Sequence, residues 1–239
     1  MKEVAEVFGQ NDEWEKIENP HTFCFKTTPK ISSYLYAVVA GPYEYFEELQ
    51  DGFPPMRIYA RKTLKNDINH TEMFKVTKIG ITKYEDYFGR AYPFGKYDQV
   101  FVPEFSSGAM ENVGCVTYHE SYLFRGETPS LAKRLSFANT NLHELSHMWF
   151  GNLVTMKWFN DLWLNEAFAT FMAYLFESKA TELEYHDQVW VDFVMCIFWG
   201  MNADMMTSTH PICCEINSTD EATSIFDGIS YGKGAAWLK

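Results

Sequence analysis

The chain has 239 residues, of which 46% are hydrophobic and 22% are charged, as is usual for a packed globular protein. Its 20 basic and 32 acidic side chains give a net charge of −12, which argues against nucleic-acid binding as the main function because a phosphate backbone would be repelled. The most apolar run, residues 193–199, is too short to cross a bilayer, and the amino-terminal stretch lacks the apolar core of a secretory signal. We therefore expect no membrane segment in this chain and a cytoplasmic location.

The first part of the chain predicts β-strands. Residues 21–27 alternate apolar and polar side chains, and residues 33–40 are rich in Tyr, Leu and Val before Gly41-Pro42. The turn-forming run at residues 51–55 suggests a domain boundary, and a further strand is expected at residues 56–60.

The rest of the chain predicts mostly helices. Residues 70–88 have apolar side chains at helical spacing, whereas residues 99–105 and 114–124 are β-prone. Strands that come first and helices that come later, without β–α–β alternation, indicate an α+β fold. Three further helices are predicted over residues 130–150, from Asn160 or Asp161 to about 179, and from 182 to about 201.

The sequence His143-Glu144-Leu145-Ser146-His147 is an HExxH motif inside the helix predicted over residues 130–150. Two histidines four residues apart share one helical face and can reach a single ion at about 2.0–2.1 Å. Glu144 lies beside them, from where it can take a proton from an activated water without being a ligand. The alternative is a helix that carries two surface histidines near a glutamate, but apolar neighbours predict partial burial.

A catalytic zinc ion needs a third protein ligand and one open position. Glu166 is separated from His147 by 18 residues, and a chain reversal between Gly151 and Asp161 would bring it opposite the two histidines. The sequence therefore predicts a His, His, Glu site for one Zn²⁺. The alternatives for Glu166 are a partner for a helix amino terminus and a solvated acid.

Several further stretches accompany HELSH and Glu166. They are Gly108-Ala109-Met110-Glu111-Asn112 (GAMEN), residues 149–155, residues 161–166 and residues 230–234. Together these stretches resemble the gluzincin aminopeptidases, the aminopeptidase N (alanyl aminopeptidase) family, which has GAMEN as a motif. The resemblance runs in family order over most of the chain and implies a fragment that covers the catalytic core.

The resemblance implies a fold and a domain division. Residues 51–239 would form a thermolysin-like zinc metallopeptidase catalytic domain that is incomplete at its carboxyl-terminal end. Residues 1–50 would be the last part of a β-rich amino-terminal domain.

The resemblance also implies a function for each site residue. His143, His147 and Glu166 would bind zinc, one ion per chain, and Glu144 would be the general base. The implied activity is hydrolysis of the amino-terminal peptide bond of peptides that have a free amino terminus. Glu111 would hold the α-ammonium group, the other GAMEN residues would bind substrate beside it, and Tyr231 would donate a hydrogen bond to the oxyanion.

Three alternatives stay open at this point. A leukotriene epoxide hydrolase of the same family is disfavoured by Ala109 and Phe150, where that branch carries other residues. A catalytically inert, zinc-stabilised fragment that acts as a binding module would keep the ligands but show no turnover. A binding module without metal would not be stabilised by zinc.

Overall fold

The computed structural model describes residues 27–126 and 129–239. Of the strand expected at residues 21–27, only the last residue is among them. The described part contains a five-stranded sheet in the order β1-β2-β3-β5-β4. Its strands are β1 (Tyr43–Glu48), β2 (Met56–Arg61), β3 (Tyr97–Val102), β4 (Ala109–Met110) and β5 (Val116–His119).

One α-helix of the described part lies between β2 and β3, and the others follow the last strand. None of those in the described ranges is both long and apolar enough to cross a membrane. A mixed sheet combined with a run of helices after it agrees with the α+β class. The α-helices are α1 (His70–Phe88), α2 (Leu131–Ser146), α3 (Leu162–Ser178), α4 (Val189–Asp204), α5 (Thr219–Thr223) and α6 (Gly234–Leu238), and residues Ile229–Lys233 form a π-helix.

The centre of the sheet is parallel, which corrects one expectation. Strand β2 pairs with β3 in parallel, and α1 connects them, so a β–α–β unit is present where none was expected. Parallel neighbours need such a crossover because a tight turn cannot join them. Strand β3 also pairs in parallel with β5, whereas β1 and β4 are antiparallel strands at the two edges.

The strand expected at residues 33–40 is wrong. That segment contains only a short 3₁₀-helix, Ser33–Leu35, and Leu35 is its one buried side chain. The first strand is instead β1, beyond Gly41-Pro42, because Tyr43–Glu48 pairs with Met56–Arg61. The run at residues 51–55 lies between these two paired strands, and the division into two domains near residue 50 stays a prediction.

Two helix boundaries differ from the sequence pattern. The expected cap of α2 is confirmed, since Ser130 Oγ accepts a hydrogen bond from the Lys133 N–H, but α2 ends at Ser146 and not at residue 150. Helix α4 begins at Val189 and not at residue 182. The preceding segment forms turns, and its Leu183 and Tyr185 side chains are buried in the core. Helix α3 begins as expected, with Asp161 at the N-cap position.

Gly80 brings α1 close to the helix that carries the HExxH motif. A Cβ atom at this position would lie 2.5 Å from Leu142 Cδ2 and 2.7 Å from Leu145 Cδ2. One turn later, the hydroxyl of Tyr84 donates to the Leu142 carbonyl over 2.8 Å. The glycine that weakens the helical pattern in the sequence is therefore what allows the two helices to pack closely.

Candidate metal and peptide site

The histidines of the motif lie at the carboxyl-terminal end of α2, and hydrogen bonds connect this part of the helix to the sheet. The Asn141 amide donates to Gln99 Oε1 on β3 over 3.0 Å and to the Tyr118 hydroxyl on β5 over 3.3 Å. All three side chains are completely buried. Because a satisfied buried network fixes side-chain geometry, the end of α2 is held against the sheet.

The three expected metal ligands converge. His143 Nε2 and His147 Nε2 are 3.1 Å apart, and Glu166 Oε2 on α3 lies 3.3 Å from the first and 3.7 Å from the second. Ligand atoms at tetrahedral corners about 2.0–2.1 Å from a zinc ion would be about 3.3–3.4 Å apart. The donor set therefore fits a single divalent ion of this size.

In both histidines a contact at Nδ1, the outer nitrogen, orients the ring so that Nε2 faces the other candidate ligands. His147 Nδ1 lies 3.2 Å from the Phe150 carbonyl oxygen, and His143 Nδ1 lies 3.3 Å from Thr170 Oγ1. A carbonyl oxygen can only accept, so His147 carries its proton on Nδ1 when neutral and turns the Nε2 lone pair towards Glu166. This is how metal-binding histidines are usually held.

The electrostatics of the site also favour a cation. Glu111, Glu144 and Glu166 are each no more than 5% exposed. Burial works against the charged form of His147, but the surrounding carboxylates, Glu111 foremost, raise its pKa to about 10. Burial lowers the pKa of His143, whereas hydrogen bonds from both histidines outweigh burial and lower the pKa of Glu166. Three buried carboxyl groups and two imidazoles thus lie around one point, and a divalent ion held there would be stabilised by these oxygen and nitrogen donors.

Glu144 points into the same space without being one of the three converging ligands. Its Oε2 atom is buried and has no hydrogen-bond partner among residues 27–126 and 129–239. Burial, followed by the charge of Glu111, raises the pKa of this carboxyl group well above its usual range. A buried carboxylate oxygen without a protein partner is available to a water molecule or a substrate.

The GAMEN segment lies at the edge of the sheet next to the candidate metal ligands. Ala109 and Met110 form β4, which pairs with β5, and the Gly108 carbonyl accepts from the His119 N–H over 2.9 Å. The next residue, Glu111, is buried. Asn112, the last residue of the segment, donates from Nδ2 to Thr117 Oγ1 over 3.1 Å.

Two asparagines connect Glu111 to the helices. Asn165 Nδ2 lies 3.4 Å from Glu111 Oε1 and 3.0 Å from Glu166 Oε1, and Asn152 donates to the Glu111 carbonyl over 2.8 Å. The sequence did not predict a role for either residue. Asn165 precedes the expected ligand Glu166 in the chain, but only the fold reveals that its side chain also reaches the residue that follows β4.

Tyr231 reaches the site from the π-helix. Its ring is nearly parallel to that of His143, with 5.9 Å between ring centroids and 15° between planes. The segment Ile229–Lys233 packs directly on α4, because a Cβ atom at Gly232 would lie 2.2 Å from the Cys196 carbonyl oxygen. π-Helical turns often occur at functional sites, and the sequence pattern did not predict this one.

Glu111, Glu144 and Tyr231 are therefore neighbours of the three converging residues, which define a site suited to a divalent metal ion. Residues 72–239 match the family model described as the Peptidase family M1 domain. That match covers more than half of the chain, which belongs to peptidase family M1.

Curated relatives match over nearly the whole chain. It is 44% identical to aminopeptidase N of Streptomyces lividans over 219 residues, 90% of this chain and 25% of that protein. It is 38% identical to aminopeptidase M1-D of Oryza sativa subsp. japonica over 228 residues, 94% of this chain and 25% of that protein. It is 35% identical to aminopeptidase A of Gloydius brevicauda over 238 residues, 99% of this chain and 24% of that protein. The chain thus spans about a quarter of the length of these relatives.

Proposed function

We propose that this chain is the zinc-binding and peptide-binding core of an aminopeptidase, with a thermolysin-like catalytic domain that hydrolyses the amino-terminal peptide bond of peptides. The observation that carries the proposal is the convergence of His143, His147 and Glu166 next to Glu111. The names of the curated relatives support the same activity. The cytoplasmic location stays a prediction.

His143, His147 and Glu166 would hold one zinc ion per chain. When bound, zinc acts as a Lewis acid on a carbonyl group and promotes deprotonation of water. The protein contributes the geometry, since Phe150 and Thr170 orient the two rings through their outer nitrogens. Burial of the ligands keeps competing water away from the site.

Glu144 is the proposed general base. Its unpartnered Oε2 atom can accept the proton of the attacking water and then deliver it to the amine that leaves when the peptide bond breaks. Burial and the charge of Glu111 raise the pKa of Glu144, so this carboxyl group can hold the proton between the two steps. The charge of His147 lowers the pKa and so favours release of the proton.

Glu111 is the proposed recognition group for the free amino terminus. A buried carboxylate binds an α-ammonium group through a charge-assisted hydrogen bond, and an acylated amine would bring no positive charge to balance it. Strand β4 lies at the sheet edge, where its outer side can pair with an extended peptide backbone. Gly108, Ala109, Met110 and Asn112 would shape this edge of the substrate site.

Tyr231 is the proposed donor to the developing oxyanion. Burial, followed by the charge of Glu166, raises the pKa of its hydroxyl well above the usual range, so the hydroxyl keeps its proton and can donate. A donor placed where negative charge develops stabilises the transition state more than the substrate.

The test is hydrolysis of alanine p-nitroanilide and of its N-acetylated form, with and without a chelator. We expect turnover of the free amine only, loss of turnover with chelator, and a decrease of about 10²- to 10⁴-fold in kcat for Glu144→Gln. The control is Glu215→Gln, which changes an exposed side chain. Chelator-insensitive turnover would overturn the proposal. Zinc binding without any turnover would favour the inert, zinc-stabilised module.

A further inference from the structure

Tyr34 lies outside the GAMEN and HExxH motifs, but the fold brings it to the same site. It belongs to the short 3₁₀-helix Ser33–Leu35, which is anchored by Leu35 at 1% exposure. The Tyr34 ring meets Phe159 edge to face, with 5.9 Å between centroids and 61° between planes. Phe159 begins the turn that leads into α3, so these contacts direct Tyr34 towards the helix that carries Glu166.

The hydroxyl of Tyr34 is buried but has no hydrogen-bond partner in the described part of the chain. Burial raises the pKa of this hydroxyl above its ordinary value, and the negative charges of Glu111 and Glu166 raise it further. A neutral phenol has one donor and two acceptor sites. An unpartnered buried hydroxyl is costly and unusual in a folded protein, which points to a ligand that completes it.

We propose that Tyr34 is a substrate-binding residue whose hydroxyl oxygen accepts a hydrogen bond from the primary α-ammonium group of the peptide that Glu111 holds. This inference rests on the proposed function. An α-ammonium group has three N–H donors, so Glu111 alone leaves donors that need other acceptors. The neutral hydroxyl oxygen of Tyr34 would add a directional hydrogen bond to the ammonium group without adding a second negative charge. Its O–H would remain free to donate to a neighbouring carboxylate.

The test compares Tyr34→Phe with Tyr36→Phe in the intact protein. The control changes a tyrosine of the same segment that is 70% exposed. The probes are two inhibitors that differ in one group, leucine hydroxamate and its des-amino analogue, 4-methylpentanoyl hydroxamate. We expect Tyr34→Phe to weaken the first about tenfold, as for loss of one hydrogen bond to a charged group, and the second less than twofold. Zinc content and melting temperature should not decrease, since only an unpartnered hydroxyl is removed.

Equal weakening of both inhibitors would overturn the inference, because it would show that Tyr34 does not read the amine. Unchanged binding of both would overturn it as well. In either case, wild-type turnover of alanine p-nitroanilide leaves the proposed function standing. If the zinc-loaded wild type neither hydrolyses the anilide nor binds leucine hydroxamate, the proposed function itself fails, and this inference fails with it.

Discussion

The amide nitrogen of Asn165 lies 3.4 Å from Glu111 Oε1, and the same nitrogen lies 3.0 Å from Glu166 Oε1. One buried side chain thus joins the carboxylate proposed to bind the amino terminus to a carboxylate proposed to bind zinc. The distance between amine and metal determines which peptide bond reaches the reactive position. Asn165 is therefore a positioning residue in this account.

Replacing Asn165 with Ala should lower kcat/KM for alanine p-nitroanilide about 10- to 100-fold, the usual effect of losing a group that orients metal ligands. Zinc affinity should fall as well, because Glu166 loses a donor. Steady-state kinetics and zinc titration measure the two effects. Asn202→Ala, an exposed change on α4, is the control. Wild-type kinetics in the Asn165 variant would contradict the positioning role.

Gly80→Ala should destabilise the protein. The added Cβ atom would lie 2.5 Å and 2.7 Å from two leucine side chains of α2. Overpacking of this kind usually costs about 1–3 kcal/mol, which urea unfolding measures. Gly95→Ala is the matched control, since nothing lies within 4 Å of a Cβ atom built there. Equal stability of the two variants would show that α1 and α2 can separate without cost.

The sequence predicted those parts of the fold that depend on local pattern. Helix α1 has the expected ends, residues 70 and 88, because apolar periodicity and the following Gly89 are local signals. The convergence of the three candidate metal ligands was also predictable, since His143 and His147 occupy one face of a helix and Glu166 lies on the next helix.

The parts that were missed depend on contacts between distant segments. Strand β1 forms because Tyr43–Glu48 pairs with β2, and residues 33–40 have similar β-prone composition without such a partner in the described chain. Nothing local distinguishes Tyr34, with its buried hydroxyl, from exposed Tyr36. The π-helix depends on backbone contact between Gly232 and α4, which no periodicity reveals.

Glu177 should make stability decrease as pH rises. It is 1% exposed, and burial raises its pKa to about 8, although a hydrogen bond from Asn139 opposes this effect. A raised pKa means that the native state binds more protons than the unfolded state between about pH 4.5 and 8. Its stabilising contribution is therefore complete below about pH 4.5 and is lost as pH rises through 8.

Glu177→Gln removes this titration and should be more stable than wild type at pH 8 by a few kcal/mol, on the order of 1.4 kcal/mol for each tenfold difference in proton affinity between the native and unfolded states. Urea unfolding at pH 5.5 and pH 8 measures the difference. Glu215→Gln, which changes an exposed carboxylate, is the control for the loss of a carboxyl group. A Glu177→Gln slope identical to that of wild type would contradict the assignment.

Tyr231→Phe should lower kcat by about 10²- to 10³-fold, as is typical for loss of one oxyanion donor. KM and zinc content should change little, because the ring still stacks on His143. Tyr87→Phe, at a tyrosine that is 55% exposed, is the control for the loss of a phenol hydroxyl. A change in KM with kcat unaltered would instead assign Tyr231 to substrate binding.

The most direct test of the central claim is zinc content, measured by elemental analysis after zinc loading and dialysis. The account predicts about one zinc ion per chain in the wild type and in Glu215→Ala, and less than about 0.1 in His147→Ala and Glu166→Ala, because removing one of three protein ligands greatly weakens a catalytic zinc site. A wild-type protein that retains no zinc, or a Glu166→Ala variant that retains as much as the wild type, would contradict it.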